Sequence, residues 1–331
     1  MNIIHHRRAL LSTLASLSIL PLAMTASLAQ AQTAWPSRPI TIIVPGAAGG
    51  TTDIPTRIVA LKLSARLGQP VIVENKPGSG GIIGTQATLR NPADGYTLLV
   101  GNTGSHAISY SAYKTLSYKP DDFLALTDMI SFANVLVVNA QSPIQSVSAL
   151  ISQMKKEPGK FSFSSAGIGQ TTHLTGELFK SKTSTFAIHV PYRGATPATM
   201  SLLAGETQFM FDNVTQALPH IRSGKLRALA VTSSERMPSL PDTPTMGQAG
   251  IADFNVTGWL GFFVASKTPA DIAAKLQEHL SAVMKDPEIV TQFRQMGGLP
   301  GGRTQAEFTA YVNAERKMWG DLIKAQNLSL D

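Results

Sequence analysis

The stretch ITIIVPGAAGGTTDI, residues 40–54, joins an apolar strand pattern, a glycine-rich turn and the first turn of a helix. The run ITIIV is β-branched and apolar, which predicts a buried strand over 40–44. Apolar residues then recur at helical spacings as far as Ala65, and Gly68 is placed to end that helix. This segment is therefore one strand–turn–helix unit.

A second unit of the same kind is FSFSSAGIGQTTHL, residues 161–174, and strand and helix patterns alternate along most of the chain. Such alternation predicts an α/β fold with mostly parallel sheets flanked by helices. The predicted strands cover 40–44, 70–75, 96–100, 134–138, 161–165, 208–212 and 226–231, and residues 269–328 have an almost wholly helical pattern.

The length of 331 residues suits two domains. No flexible linker is visible, so we expect the chain to cross between domains in ordered segments, near Met129–Ala133 and Gly250–Gly258. The prediction is a discontinuous first lobe, residues 32–131 plus 252–331, and a second lobe, residues 132–251.

The two glycine-rich turns predict an anion site. Glycine lets the backbone approach a ligand closely, and the first amides of each following helix lack intrahelical partners. Each helix N-terminus favours an anion by about 0.3–1 kcal/mol. Two such turns on different lobes are what a ligand held between lobes requires.

The candidate ligand-binding residues lie in these turns and at the ends of two further strands. For Asp53 we expect helix capping, with ligand binding as the alternative, whereas the pair Asp212–Asn213 could equally cap the next helix or contact the ligand. The full candidate set is Gly46, Ala47, Ala48, Gly49, Gly50, Thr51, Asp53, Thr103, Ser105, Ser165, Gly167, Gly169, Gln170, Thr171, Thr172, His173, Asp212 and Asn213.

Composition excludes several functions. The chain has no cysteine, so disulfides, thiolate nucleophiles and cysteine-based metal sites are ruled out. Its net charge of +7 is spread thinly, with no basic run longer than Lys155–Lys156, whereas a nucleic-acid binder clusters its charge. We expect no nucleic-acid partner and a general attraction for small anions.

Motifs of common enzyme and cofactor classes are also missing. The chain has no GxSxG, no HExxH and no phosphate-binding loop, and its histidines lack metal-ligand spacing. The run GSGGIIG, residues 78–84, is similar to a dinucleotide motif, but Lys76-Pro77 separates it from the preceding strand. We therefore predict no cofactor and no metal.

Residues 1–31 have the features of a secretory signal peptide. Arg7 and Arg8 precede an apolar stretch, and Ala29-Gln30-Ala31 supplies the small residues at a cleavage site. A membrane anchor is the alternative, although several serines and Pro21 interrupt the stretch. We predict export to the periplasm with cleavage near Ala31, by either the general or the twin-arginine route.

Longer blocks of the sequence resemble one known family. They are WPSRPITIIVPGAAGGTTDIPTR (35–57), VIVENKPGSGGIIG (71–84), SSAGIGQTTHLTGELF (164–179) and HVPYRGATPATMSLLAGETQFMFDN (189–213). They are similar to the Bug family, the TctC-like solute receptors of tripartite tricarboxylate transporters. The resemblance covers residues 35–324.

The resemblance implies a periplasmic, non-enzymatic receptor with the two-lobed periplasmic-binding-protein fold, of the type II Venus-flytrap kind. Such receptors hold a small carboxylate between the turns matched here by 46–53 and 165–173, and present it to membrane permease subunits. The resemblance also implies that the VENKPGSGG block is structural. Two features depart from the family: Gly46-Ala47-Ala48 replaces an aromatic and a proline, and Gln170 stands where Ser or Thr is usual.

Two other functions stay open from the sequence. One is an exported carboxylate-processing enzyme that uses Asp212 with His173 or His189. The other is a receptor repurposed for signalling. We expect a monomer in either case, and the sequence does not identify the carboxylate.

Overall fold

The computed structural model describes residues 35–325, so the predicted signal peptide lies outside the described residues. Each predicted strand is present, and all but one lie within two residues of the predicted bounds. The exception is the strand predicted at 134–138, which is the end of a longer strand that begins at Phe123. The strands are β1 (Ile40–Val44), β2 (Val71–Asn75), β3 (Thr97–Asn102), β4 (Phe123–Asn139), β5 (Ser162–Ser165), β6 (Ile188–Pro191), β7 (Phe209–Asn213), β8 (Leu226–Val231), β9 (Thr257–Ala265) and β10 (Leu299–Pro300).

The strands form a mixed sheet in the order β2-β1-β3-β9-β4-β7-β5-β6, with β8 and β10 both paired to β4. The prediction of parallel pairing is confirmed on the two flanks, where β1 pairs with β2 and β3, and β5 with β6 and β7. The central strands β4 and β9 are antiparallel to their neighbours. Strands β4 and β9 run in opposite directions because the chain passes through β4 from one flank of the sheet to the other and comes back through β9.

The long strand β4 divides the sheet into two halves. Residues from Phe123 to Ala133 pair with β9, whereas residues from Asn134 onwards pair with β7 and β8. We call β1–β3, β9 and β10 the first half and β5–β8 the second half. The change of partner lies close to the predicted crossing near Met129–Ala133, and the exact lobe limits stay a prediction.

The helices flank the sheet, and the helix predicted from residue 54 ends where expected, at Gly68 in the left-handed conformation. No helix within 35–325 combines the length and the apolar character needed to span a bilayer. The helices are α1 (Asp53–Leu67), α2 (Ile82–Leu89), α3 (Ser109–Ala112), α4 (Val147–Lys156), α5 (Thr171–Thr183), α6 (Ala195–Leu203), α7 (Val214–Arg222), α8 (Ala270–Met284), α9 (Pro287–Gln295) and α10 (Gln305–Ala325).

Buried aromatic side chains fix the helices on each half. Phe308 of α10 packs against Trp259 and Phe263 of β9, with ring centroids 5.5 and 5.4 Å away. In the second half, Phe179 of α5 packs against Phe209 and Phe211 of β7, with ring centroids 6.1 and 5.4 Å away. Burying each such side chain contributes about 1.5–3 kcal/mol, so the loops at the strand ends are carried by rigid supports.

Candidate ligand-binding site

A small cavity lies at the ends of β1, β3 and β7, between the two halves of the sheet, and its volume is about 40 Å³. A water molecule needs about 10–15 Å³ of such space, so the cavity has room for a carboxylate-sized group. Its lining residues are Pro45, Gly46, Ala47, Gly50, Thr51, Thr52, Gly78, Gly80, Gly81, Asn102, Ala166, Gln170, Arg193, Gly194, Ala195 and Asn213.

The charge of the cavity wall favours an anion. None of the described residues that line it is acidic, and Arg193 is the one among them with a charged side chain. The Arg193 side chain is exposed and makes no hydrogen bond or ion pair with residues 35–325. A negative ligand would therefore meet no like charge in the lining.

The first turn is held in place by Asp53. Its carboxylate accepts hydrogen bonds from the Gly49 amide (2.8 Å), the Asn75 side chain (2.9 Å) and Arg57 Nε (3.0 Å). Burial alone would raise the pKa of Asp53, but these hydrogen bonds outweigh it and hold the pKa below its usual range. Of the two roles open for Asp53, the geometry supports the structural one.

The hydrogen bond to Asp53 also determines which backbone N–H groups of the turn are free to bind a ligand. The Gly49 N–H is used internally, and neither Ala48 nor Gly49 lines the cavity. Thr51 and Thr52 do line it, and their backbone N–H groups donate to no other group within 35–325. The free donors of this turn thus come from its end, next to α1.

The second turn contributes Gln170 to the cavity, whereas most of its other predicted residues organise the loop. Thr172 Oγ1 accepts from the Ala166 amide at 3.0 Å, and His173 Nδ1 accepts from the Gly169 amide at 3.3 Å. Neither Gly167 nor Gly169 lines the cavity.

Two histidines lie behind the second turn as a stacked pair. The rings of His173 and His189 are 3.9 Å apart, and His189 Nε2 bonds to Ser165 Oγ at 2.6 Å. Burial lowers the pKa of His173 to about 3 and that of His189 to about 4, with the neighbouring charges adding to the effect. Both rings are therefore neutral near pH 7.

Two segments of the lining were missed by sequence reasoning. One is Gly194–Ala195, at the start of α6, whose N-terminus has no side-chain cap. The other is Gly78–Gly81, which the resemblance implied to be structural and which lies on the cavity wall. The run RGATPAT carries the same glycine-then-helix signal as the first two turns and could have been found from it.

The strand ends supply polar side chains, not all of them to the cavity. Asn213 lines it, donates from Nδ2 to Thr51 Oγ1 at 3.1 Å, and has a buried Oδ1 without a partner in the described chain. Asp212 instead accepts from Thr199 Oγ1 and from the Asn213 amide, both at 2.8 Å. Asp212 is thus bonded away from His173 and His189, so the structure provides no hydrogen-bonded Asp–His pair there.

Asn102 at the end of β3 lines the cavity and was not predicted. Its neighbours Thr103 and Ser105 were predicted but do not line this cavity. Ser105 is buried and bonds to Asn102 through its amide, at 2.9 Å. Thr103 accepts from the Trp259 amide at 2.9 Å and lines a second cavity of about 20 Å³, together with Thr171. Within 35–325 no group of side chains could hold a metal ion.

Hydrogen bonds join the two halves across the cavity. Thr196 Oγ1 at the start of α6 donates to the Ala48 carbonyl at 3.3 Å, and the Gln170 side chain donates to the Gly80 carbonyl. These two hydrogen bonds and the one between Asn213 and Thr51 keep the halves in contact around the cavity.

Residues 56–328 match the family described as tripartite tricarboxylate transporter family receptor. The match covers well over half of the chain. The chain belongs to this family. A curated relative, the protein BugT of Bordetella pertussis, is 35% identical over 298 residues, which is 89% of this chain and 91% of BugT.

Three solved structures are similar to this receptor over nearly their whole length. The periplasmic binding protein BugD is 33% identical, with a TM-score of 0.85 over 89% of this chain and 99% of BugD. Rpa4515 of R. palustris, solved with adipate, is 32% identical with a TM-score of 0.86 over 89% and 99% of the two chains. MatC of Rhodopseudomonas palustris, solved with malate, is 30% identical with a TM-score of 0.83 over 87% and 99%.

These similarities confirm the predicted fold class. The receptor has the two-lobed α/β fold of periplasmic binding proteins.

Proposed function

We propose that this chain is an extracytoplasmic receptor that binds a small carboxylate between its lobes and delivers it to the permease subunits of a tripartite tricarboxylate-type transporter. The observation that carries the proposal is one cavity without acidic side chains that is lined from both halves of the fold. The first half contributes Thr51 and Thr52, whose backbone N–H groups have no partner within 35–325, and the second half contributes the start of α6. Relatives solved with adipate and with malate support a dicarboxylate.

The binding energy comes from hydrogen bonds to main-chain donors. A bond between a carboxylate and a neutral donor contributes about 1.5–3 kcal/mol, and the helix N-termini add about 0.3–1 kcal/mol each. Burial of the charge between the lobes strengthens these bonds, because water is excluded. Binding therefore stabilises the closed arrangement, which alone brings both sets of donors together.

The proposal has further parts, which the sequence patterns and the family membership support. The protein is exported to the periplasm after cleavage near Ala31, and its lobes are 32–131 with 252–331, and 132–251. It returns its ligand unchanged, as a monomer, without cofactor or metal.

The charge preference is tested by two substitutions at one position. Asn213→Asp places a carboxylate on the cavity wall, where it repels an anionic ligand, whereas Asn213→Ala only removes the polar group. We expect succinate affinity to fall by about tenfold in Asn213→Ala and by a further tenfold or more in Asn213→Asp.

The measurement is calorimetric titration with succinate and malate at pH 7.5, with melting temperatures to verify folding. Equal affinities of the two variants would contradict an anion site at Asn213. Conversion of malate or succinate by the wild-type protein, followed by NMR, would contradict a receptor and favour the enzyme alternative.

A further inference from the structure

The side chain of Gln170 reaches from the second half of the fold into the first. Its Nε2 donates to the Gly80 carbonyl, across the cavity from its own loop. A Cβ atom on Gly80 or Gly81 would have this nitrogen among its near neighbours, at 3.7 Å. The carboxamide therefore packs directly on the Gly80–Gly81 backbone.

Gly104 packs against the same carboxamide. A Cβ atom on Gly104 would lie 2.8 Å from Gln170 Cδ and 2.9 Å from Oε1, closer than real Cβ contacts allow. Glycine at this position leaves the space that the amide occupies. The Gln170 side chain thus packs against two backbone segments of the first half, at Gly80–Gly81 and at Gly104.

Gln170 also lies where two adjoining cavities meet. It lines both the cavity at the glycine turns and the second cavity, which extends to Thr103, Gly104 and Trp259. The two cavities measure about 40 and 20 Å³ and share the residues Thr51, Thr52, Asn102, Gln170 and Asn213. The two cavities therefore adjoin at these five residues.

We propose that Gln170 sets the maximum length of the ligand. With its carboxamide between the cavities, the site accepts a short dicarboxylate and rejects a longer one, whose chain would have to pass through the position of the amide. This inference rests on the proposed function and narrows its substrate class to short dicarboxylates.

The test compares three proteins in calorimetric titrations with malonate, succinate, glutarate and adipate. They are the wild type, Gln170→Ser and Gln170→Met. Serine removes the barrier and joins the cavities, whereas methionine keeps a side chain of similar length but cannot donate to Gly80. Methionine is therefore the control for the loss of the hydrogen bond alone.

In the wild type we expect adipate to bind at least about tenfold more weakly than succinate, because excess chain length in a fitted pocket costs about 10- to 200-fold. Gln170→Ser should shift the preference at least about tenfold towards adipate. Gln170→Met should weaken all four ligands while keeping their order.

Two results would overturn the inference and leave the proposed function intact. One is a wild-type length preference that Gln170→Ser retains, and the other is an equal shift in Gln170→Met and Gln170→Ser. Absence of binding of any of these acids to the folded wild type would instead count against the proposed dicarboxylate function, and the inference would fall with it.

Discussion

The substitution Gly50→Val is expected to weaken succinate binding by about a hundredfold and to leave the protein folded. A Cβ atom at Gly50 would lie 3.1 Å from the Ala47 carbonyl oxygen in the first turn and 3.4 Å from Thr196 Oγ1 in α6. The branched valine would fill the space between the first turn and α6. Overpacking of this kind costs about 1–3 kcal/mol, which corresponds to as much as about a hundredfold in affinity.

The neighbouring glycine supplies a matched control. A Cβ atom at Gly49 would meet nothing within 4 Å, but its φ of +71° is unfavourable for other residues. Gly49→Ala should therefore lower the free energy of unfolding by about 1–2 kcal/mol and leave succinate affinity nearly unchanged. Wild-type affinity in Gly50→Val, or lost affinity in Gly49→Ala, would place the ligand on a different part of the turn.

The second large effect concerns the stability of the protein at different pH values. Asp212 is fully buried, and this burial raises the pKa of Asp212 to about 7, although bonds from Thr199 and the Asn213 amide partly oppose the shift. Between pH 4 and pH 7 the folded protein holds a proton on Asp212 that the unfolded chain has released. The free energy of unfolding must then fall as pH rises.

We expect Asp212 to lower the free energy of unfolding by about 1.4 kcal/mol per pH unit in this window, on the order of 4 kcal/mol in total. The contribution is constant above about pH 7, where both states are ionised, and absent below about pH 4. Asp212→Asn keeps an acceptor for Thr199 and should be the more stable protein at pH 8.

Urea denaturation from pH 4 to pH 8 measures this difference. The exposed Asp253, whose positive φ asparagine also tolerates, provides the control substitution Asp253→Asn, which should follow the wild-type curve. A difference between wild type and Asp212→Asn that does not change with pH would show that Asp212 is ionised throughout.

The sequence predicted those parts of the site that depend on local structure. The strand at 40–44, its glycine turn and the helix ending at Gly68 follow from short-range patterns, and all are present. The second turn and the start of α5 follow in the same way. Such features need only the spacing of apolar residues and the conformational freedom of glycine.

The parts that sequence reasoning missed depend on contacts between distant segments. Asp53 has a structural role because β2 lies beside β1 and brings Asn75 to its carboxylate. Gly80 and Gly194 join the cavity wall only because the two halves meet there. No local pattern reports such packing, so the direction in which each turn presents its N–H groups was not predictable.

The central claim is that main-chain N–H groups from both halves bind one carboxylate. Two-dimensional amide NMR of the labelled protein during titration with succinate tests it most directly. We expect large, saturable downfield shifts of the Thr51, Thr52 and Ala195 amide protons, with little change at Gly49, whose N–H is bonded to Asp53. Saturable binding that leaves the Thr51 and Ala195 amide signals in place would contradict it.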